Sequence, residues 1–520
     1  MPVQLTSNGF RIAMPMRETM RHHRGTAIAC FCALIAALSA PTSAAAASAS
    51  GKDTNNAGAC LAFTMPDSAA LFASPKKVFA HYFYPFPLQI DNKPASQDYY
   101  NRNHLNPDGE SGKWADKGGF LRQRPLPVDG AGANYRLQNV EQEVRMAIAR
   151  GITGFTIDVM GVNQATDADS ALHQLLSAAQ AVDPRFKIVV MPDLAALKSD
   201  ADAVTQIIAS VASSPAAYRL NDGRLVVTAF NAGANPPEWW ASIFTRLKSR
   251  GINVSFVPTF LGWGGQAKAF SAISDGFGDW GTATAAASDR MKGDPAIAHG
   301  SYGKTFMMSV DPQQYRPKDS IYWEAGNSAT FRNAWMSAID GGADWVQIVT
   351  WSDLSESSEI EPYTDATLRR DIGTGFYDLN AFYAAWFLTG RQPAITHDVL
   401  YYFYRREPTN AASPSQKAAN KAVNSSPEDD IELLAFLTAP GAIKISIGGH
   451  DFTQNAPAGI TSFKVPTQPG TPSFSLARDG STLFSFEAPV RIFGQEGLPS
   501  GVIDMTYWSG SASKSGICSL

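Results

Sequence analysis

Asp353, Glu356, Glu359 and Glu361 crowd the stretch TWSDLSESSEIEP, residues 350–362, directly after the apolar run DWVQIV. Two neighbouring carboxyl groups in unlike environments can share the work of hydrolysis. One protonates a leaving oxygen while the other activates water or attacks carbon. The same composition also suits a solvated acidic loop, the reading that fits Glu359 and Glu361 better. Spacing leaves the geometry open. Residues i and i+3 lie about 10 Å apart on opposite faces of an extended strand, but face each other at roughly 5–6 Å on a helical turn. The place of the stretch in the fold must decide.

The elements that would position these acids show a rhythm. Apolar, β-rich runs occupy 78–86, 152–161, 186–194, 224–232, 252–262, 275–281, 304–310 and 344–353, and helical patterns alternate with them. NVEQEVRMAIARG carries Val140, Val144, Ala147 and Ile148 at helical spacing, and LNAFYAAWFLTG (379–390) can close the series. Strands apolar throughout, separated by helices, predict a parallel sheet buried on both faces, and eight of them predict an α/β fold of the (β/α)8 barrel type over 77–392. Residues 87–138 are too many for an ordinary connection and predict a functional loop over the barrel mouth. After residue 395, short strands separated by Gly, Pro and Asp turns predict a C-terminal antiparallel β-sandwich over 393–520. No Pro/Ser-rich tether precedes it, so it should be docked on the barrel. Residues 50–76 form an N-terminal segment.

Barrel sites form where strands end on their C-terminal side. There the runs place His81 and Tyr82, Asp158, Asp193, Asn231, Trp263, Asp279 and Trp280, Asp311, and finally Trp351, Asp353 and Glu356. A single Asp at such a place commonly caps a helix; several converging on one rim suggest a site. Asp353 and Glu356 read as the catalytic pair. His81, Tyr82, Asp158, Asp193 and Asn231 read as sugar-binding groups. Trp280, Trp323 and Trp351 are either stacking platforms or core aromatics. The chemistry this suggests is glycoside hydrolysis. No phosphate loop, zinc spacing or nucleophile elbow offers competing chemistry, and no metal or organic cofactor is implied.

Composition narrows the partners. Hydrophobic content of 44 % against 17 % charged residues describes a globular chain with ample core. At the N-terminus, basic RETMRHHRG, apolar TAIACFCALIAALSA and small-residue PTSAAAASAS have the three parts of a secretory signal over 1–49, with a start as late as Met14, Met16 or Met20. The apolar run is too short to span a membrane. Without Arg11, Arg17, Arg21, Arg24 and Glu18, the 43 basic and 47 acidic residues become 39 and 46. That balance offers nothing to nucleic acid or anionic membrane and suits a neutral polysaccharide. Export implies a periplasmic or secreted protein, in which the remaining Cys60 and Cys518 should pair.

The motif itself is specific. VQIVTWSDLSESSEI resembles the signature of glycoside hydrolase family 71, the α-1,3-glucanases or mutanases, roughly Thr-Trp-Asn-Asp-Tyr-Gly-Glu-Ser. VFAHYF, GITGFTIDV, DGFGDWGTA, GKTFMMSVDP, DVLYYFYR and ELLAFLTAPGAIKISIGG resemble further family blocks in order, so the likeness covers about 76–510. The resemblance implies an exported barrel-plus-sandwich enzyme that hydrolyses α-1,3-glucan with inversion, Glu356 acting as acid and Asp353 as base. Ser352, Leu354 and Ser355 replace the family's Asn, Tyr and Gly. Those departures keep open a barrel hydrolase for another α-linked polysaccharide; a non-catalytic carbohydrate-binding protein is the other alternative, against which the two acids argue.

Overall fold

The structure is a computed structural model that describes residues 61–83, 90–91, 112, 123–128, 134–281, 283–365, 372–412, 419–496, 498 and 503–518. The proposed leader 1–49 and Cys60 lie outside the described residues. Among those residues no helix is long and apolar enough to cross a membrane.

Strands β1 (Lys77–Tyr82), β2 (Gly154–Val159), β3 (Lys187–Pro192), β4 (Leu225–Val227), β5 (Val254–Phe256 and Thr259–Phe260), β6 (Gly276–Asp279), β7 (Thr305–Val310) and β8 (Trp345–Ile348) pair in parallel. Between and after them run α1 (Tyr135–Ala149), α2 (Ala171–Val182), α3 (Ala201–Val211), α4 (Pro237–Ser249), α5 (Ala267–Phe270), α6 (Ala285–Arg290), α7 (Ala329–Gly341) and α8 (Gly375–Thr389). β1 lies between β2 and β8. The ring closes through β5, whose two segments flank Val257 and Pro258. Val257 N donates to Val227 O over 2.9 Å and Gly278 N donates to Pro258 O over 2.8 Å. Proline cannot donate to a ladder, so β5 is interrupted there while still joining β4 to β6. This is a (β/α)8 barrel.

Alternation explains why the strands read as apolar runs. Phe79, Val189, Val226, Val257, Met307 and Trp345 form one buried cluster, while Val78, Ala80, Ile157, Val190 and Val346 belong to a second one shared with the helices. The strands are therefore covered on both faces. Room for the Phe79 ring depends on Gly154, where a Cβ would stand 3.0 Å from that ring and 2.2 Å from Lys187 O.

The C-terminal region has a five-stranded and a four-stranded antiparallel sheet. β9 (Val399–Arg405), β10 (Asp430–Leu437), β13 (Gly459–Pro466), β16 (Tyr507–Ser513) and β17 (Gly516–Ile517) make the first; β11 (Gly441–Ile447), β12 (His450–Ala456), β14 (Ser473–Arg478) and β15 (Ser481–Glu487) make the second. β12 was not among the expected strands. It is polar and largely exposed at a sheet edge, so it lacks the apolar signal. Side-chain period 2 again divides the burial. Tyr401, Phe403, Leu434 and Phe436 join the barrel's cluster, whereas Tyr402, Tyr404, Leu433 and Ala435 fill the space between the sheets. The sandwich is thus packed on the barrel. Phe382 of α8 meets Phe436 edge-on at 5.0 Å. Asp378 of α8 accepts from Arg150 at 2.9 Å and from Ser511 Oγ at 3.0 Å, tying α1, α8 and β16 together. The N-terminal segment is fastened to the same region, since Thr396 N donates to Ala62 O over 2.8 Å.

Most of 87–138 lies outside the described residues. Its described strand Gln123–Pro125 pairs antiparallel with Tyr363–Asp365, immediately beyond the acidic stretch.

Candidate active site

After β8 the chain folds back on itself. Thr350 N donates to Ser358 O at 2.7 Å and Ile360 N to Thr350 O at 3.0 Å. Inside this loop Asp353 N donates to Thr350 Oγ1 over 2.8 Å. The Asp353 carboxylate takes three donors on one oxygen: Oδ1 accepts from Ser355 Oγ at 2.6 Å, Ser355 N at 3.0 Å and Glu356 N at 3.1 Å. A carboxylate gathering the N–H groups two and three residues on is a local turn. The turn alternative for the i, i+3 pair is therefore the one realised.

Glu356 points to a different neighbourhood. Its Oε2 accepts from Arg316 Nη2 at 2.9 Å and from the Gln314 amide. The three departures from the family motif have their own contacts. Ser352 Oγ donates to Phe83 O at 2.7 Å and accepts from Phe83 N at 3.0 Å, linking the turn to the end of β1. Leu354 is buried in the sandwich cluster, and Ser355 supports Asp353 directly.

Other strand ends contribute as follows. His81 is buried, and burial lowers its imidazole to about 3, so it is a neutral ring. It meets Trp280 edge-on at 4.8 Å; Trp280, half-buried, meets Phe230 at 4.7 Å. Asp158 is buried and raised well above the usual carboxylate value, by burial first and then by the charges of Asp193 and Asp353. Asp193 caps the helix Leu194–Leu197, its Oδ1 accepting from Ala195 N at 2.6 Å and Ala196 N at 3.3 Å. The cap reading and the site reading meet in this one residue. Asn231 sits in a left-handed turn after β4, a conformation Asn tolerates. Trp323 stacks on Arg316 at 5.1 Å, close to Glu356. Asp311 is buried and raised by burial, then by Asp279.

Two proposed sugar contacts are placed elsewhere. Trp351 is fully buried in the barrel–helix cluster, tilted against Phe155 at 5.3 Å. Tyr82 is fully buried with its hydroxyl on Glu143 of α1. It follows His81 in the strand and so points outward. Both support the mouth without lining it.

Glu359 and Glu361 correct the expectation of solvated charges. They are 1 % and 6 % exposed. Gln123, with its amide turned so that nitrogen donates, reaches Glu359 from the covering strand. Burial, then neighbouring carboxylates, raises both acids well above the usual range. Glu361 lies near Glu143, itself raised to about 7 by burial against the bond from Tyr82. Glu143, Gln123, Gln314 and Arg316 had no place in the sequence reading. Only Glu143 left a signal, standing in the apolar stripe between Val140 and Val144.

Asp353 is the acid of greatest chemical interest. Burial, then the charge of Glu356, raises it to about 7, against the donors from Ser355 and Glu356 N. Among the described residues no hydrogen bond engages Oδ2, while Oδ1 is saturated. No metal-binding group of three or more His, Cys, Asp or Glu occurs among the described residues.

Two acids in one turn beyond the C-terminal end of a barrel strand fit the two-carboxylate chemistry of glycoside hydrolysis. The chain belongs to glycosyl hydrolase family 71, whose family model matches residues 128–519. It is a glycoside hydrolase. It is 25 % identical over 377 residues to glucan endo-1,3-alpha-glucosidase agn1 of Schizosaccharomyces pombe, covering 68 % of this chain and 87 % of that protein. Mutanase Pc12g07500 of Penicillium rubens is 24 % identical over 375 residues, covering 68 % and 81 %. Among solved structures, the GH99 endo-alpha-mannosidase from Bacteroides thetaiotaomicron aligns with a TM-score of 0.47 at 16 % identity, over 60 % of this chain and 97 % of that one.

Proposed function

We propose that the protein is an exported hydrolase of α-1,3-glucan that works through Asp353 and Glu356 as an acid/base pair, with inversion at the anomeric carbon. The observation that carries this reading is the turn itself. It places a buried carboxyl raised to about 7 three residues from a carboxylate paired with arginine. General acid and general base need that difference in environment. The resemblance gives the acid's role to Glu356. The contacts of the resting site favour the reverse, with Asp353 delivering the proton to the glycosidic oxygen and Glu356, paired with Arg316, activating water. His81, Asp158, Asp193 and Trp280 bind the sugar beside the pair. Family membership and the relatives' activities support the linkage.

The departures at Ser352, Leu354 and Ser355 favour a second reading, hydrolysis of another α-linked polysaccharide such as a mannan. Incubation with a panel of α-1,3-glucan, α-1,4- and α-1,6-glucans and α-mannans, followed by reducing-sugar assay, separates the two. Release from α-1,3-glucan alone is expected. Release only from another polymer selects the second reading, and binding without release from any would leave a carbohydrate-binding protein. Proton NMR of the first product tests inversion, for which the β-anomer must appear first. Glucosyl fluoride, whose leaving group needs no proton, tests the roles: Asp353→Asn should retain more activity on it than Glu356→Gln.

A further inference from the structure

We propose that the C-terminal sandwich is a working part of the active site, because it holds the hairpin that positions Glu356. This rests on the reading of Glu356 as a member of the catalytic pair. The hairpin follows β7. Gln314–Arg316 pairs antiparallel with Ile321–Trp323. By strand alternation Gln314 and Arg316 share one face and Tyr315 takes the other. The first face meets the catalytic turn: both side chains donate to Glu356 Oε2, and Tyr315 N donates to Glu356 O at 2.8 Å. Trp323, opposite Gln314, stacks on the guanidinium. Three donors from one short strand thus fix both ends of Glu356.

The second face belongs to the sandwich. Tyr315 and Tyr322 are buried with Ile503 and Met505, and Tyr315 OH donates to Ile503 O at 2.8 Å. Ile321 and Tyr322 pair with Lys421 and Ala422 from the loop between β9 and β10. At the hairpin's end Glu324 accepts from Arg405 Nη1 at 2.8 Å and from Tyr507 OH at 2.6 Å, so β9 and β16 both grip it. Gln313, at its start, accepts from Tyr507 N at 2.8 Å. The Arg405–Glu324 pair is fully buried, where removal of one partner is felt strongly. A chain of polar contacts therefore runs from Arg405 and Tyr507, through Glu324 and the hairpin, to Arg316 and Glu356. Misplacement of a reacting group by about 1 Å can cost about 10²-fold in rate. A domain that sets the hairpin's position consequently sets kcat without touching the sugar.

Arg316 is a positioning residue, and its side chain is partly exposed, so its substitution leaves the core intact. Arg316→Ala should lower kcat on the polysaccharide about tenfold to 10²-fold with KM within about twofold. Among the described residues the charged groups facing Glu356 are Arg316 and, from its own turn, Asp353. Arg316→Lys should restore part of the rate. Tyr507→Phe, which keeps the ring and removes the hydroxyl's bonds to Glu324 and Arg405, should show a smaller loss of the same kind, measured well below its melting temperature. Combined with Arg316→Ala it should add almost nothing, because both act through one chain. Multiplicative losses, or an Arg316→Ala enzyme with wild-type kcat, overturn the proposal. If Tyr507→Phe does not fold, Glu324→Gln replaces it in the same cycle. Glu356→Gln as control separates the two claims: wild-type activity there defeats the catalytic reading, whereas its loss beside a normal Arg316→Ala enzyme defeats this inference alone.

Discussion

The backbone N–H of Glu356 donates to Asp353 Oδ1 over 3.1 Å. This bond couples the two acids through the chain itself. It turns the segment after β8 so that Asp353 stays over the buried mouth while Glu356 swings out to Arg316. The environments of the pair differ for that reason.

The pH profile should follow from Asp353. Burial, then Glu356, raises it to about 7. A general acid works only while protonated, so activity should fall as pH rises through this value. Steady-state kcat/KM measured from about pH 4 to 9 checks this, and a rate undiminished at the alkaline end contradicts it.

Stability should respond to pH through Glu143. Its folded value, about 7, stands above the 4.5 of a free Glu carboxyl, because burial outweighs the bond from Tyr82. Its contribution is fully present below about 4.5 and is lost as pH rises through about 7, a difference of about 3 kcal/mol at 1.36 kcal/mol per unit. Glu361 and Glu359, raised likewise, act in the same direction. The melting temperature should therefore be lower at pH 8 than at pH 5. Glu143→Gln, which imitates the protonated form, should flatten that slope; an unchanged slope in this variant would rule the assignment out.

How much of this was legible follows from where burial comes from. The barrel strands are covered on both faces, so they left continuous apolar runs, and even β5, broken at Pro258, was readable. The acid pair was legible because chemistry needs two carboxyls near one another. The burial of Glu359 and Glu361 leaves no local pattern in the sequence; the cover of Glu359 comes from far along the chain, from Gln123. Gln314 and Arg316 were missed for the same reason. Trp351 and Tyr82 were placed at the mouth by strand position, but which face they take depends on a register of one residue.

Cys518 is disulfide-bonded and buried in the structure. We propose Cys60 as its partner, joining the segment before residue 61 to the sandwich. Closing a loop of over 100 residues contributes about 4.7 kcal/mol or more in the chain-entropy model. Thiol labelling of the purified protein in denaturant without reductant should find neither Cys60 nor Cys518 free, and peptide mapping should recover the 60–518 link. Two labelled thiols per chain would refute the pairing.

The most direct measurement for the central claim is kcat of Asp353→Asn and of Glu356→Gln on α-1,3-glucan. Each substitution keeps shape and removes only the ionisable group. Acid or base catalysis contributes about 10²–10⁴-fold, so each variant should lose at least 10²-fold in kcat with KM little changed, the pattern of an interaction made in the transition state. Retention of more than about a tenth of wild-type kcat by both variants would contradict the assignment and move the search to Asp158, Asp193 and Asp279.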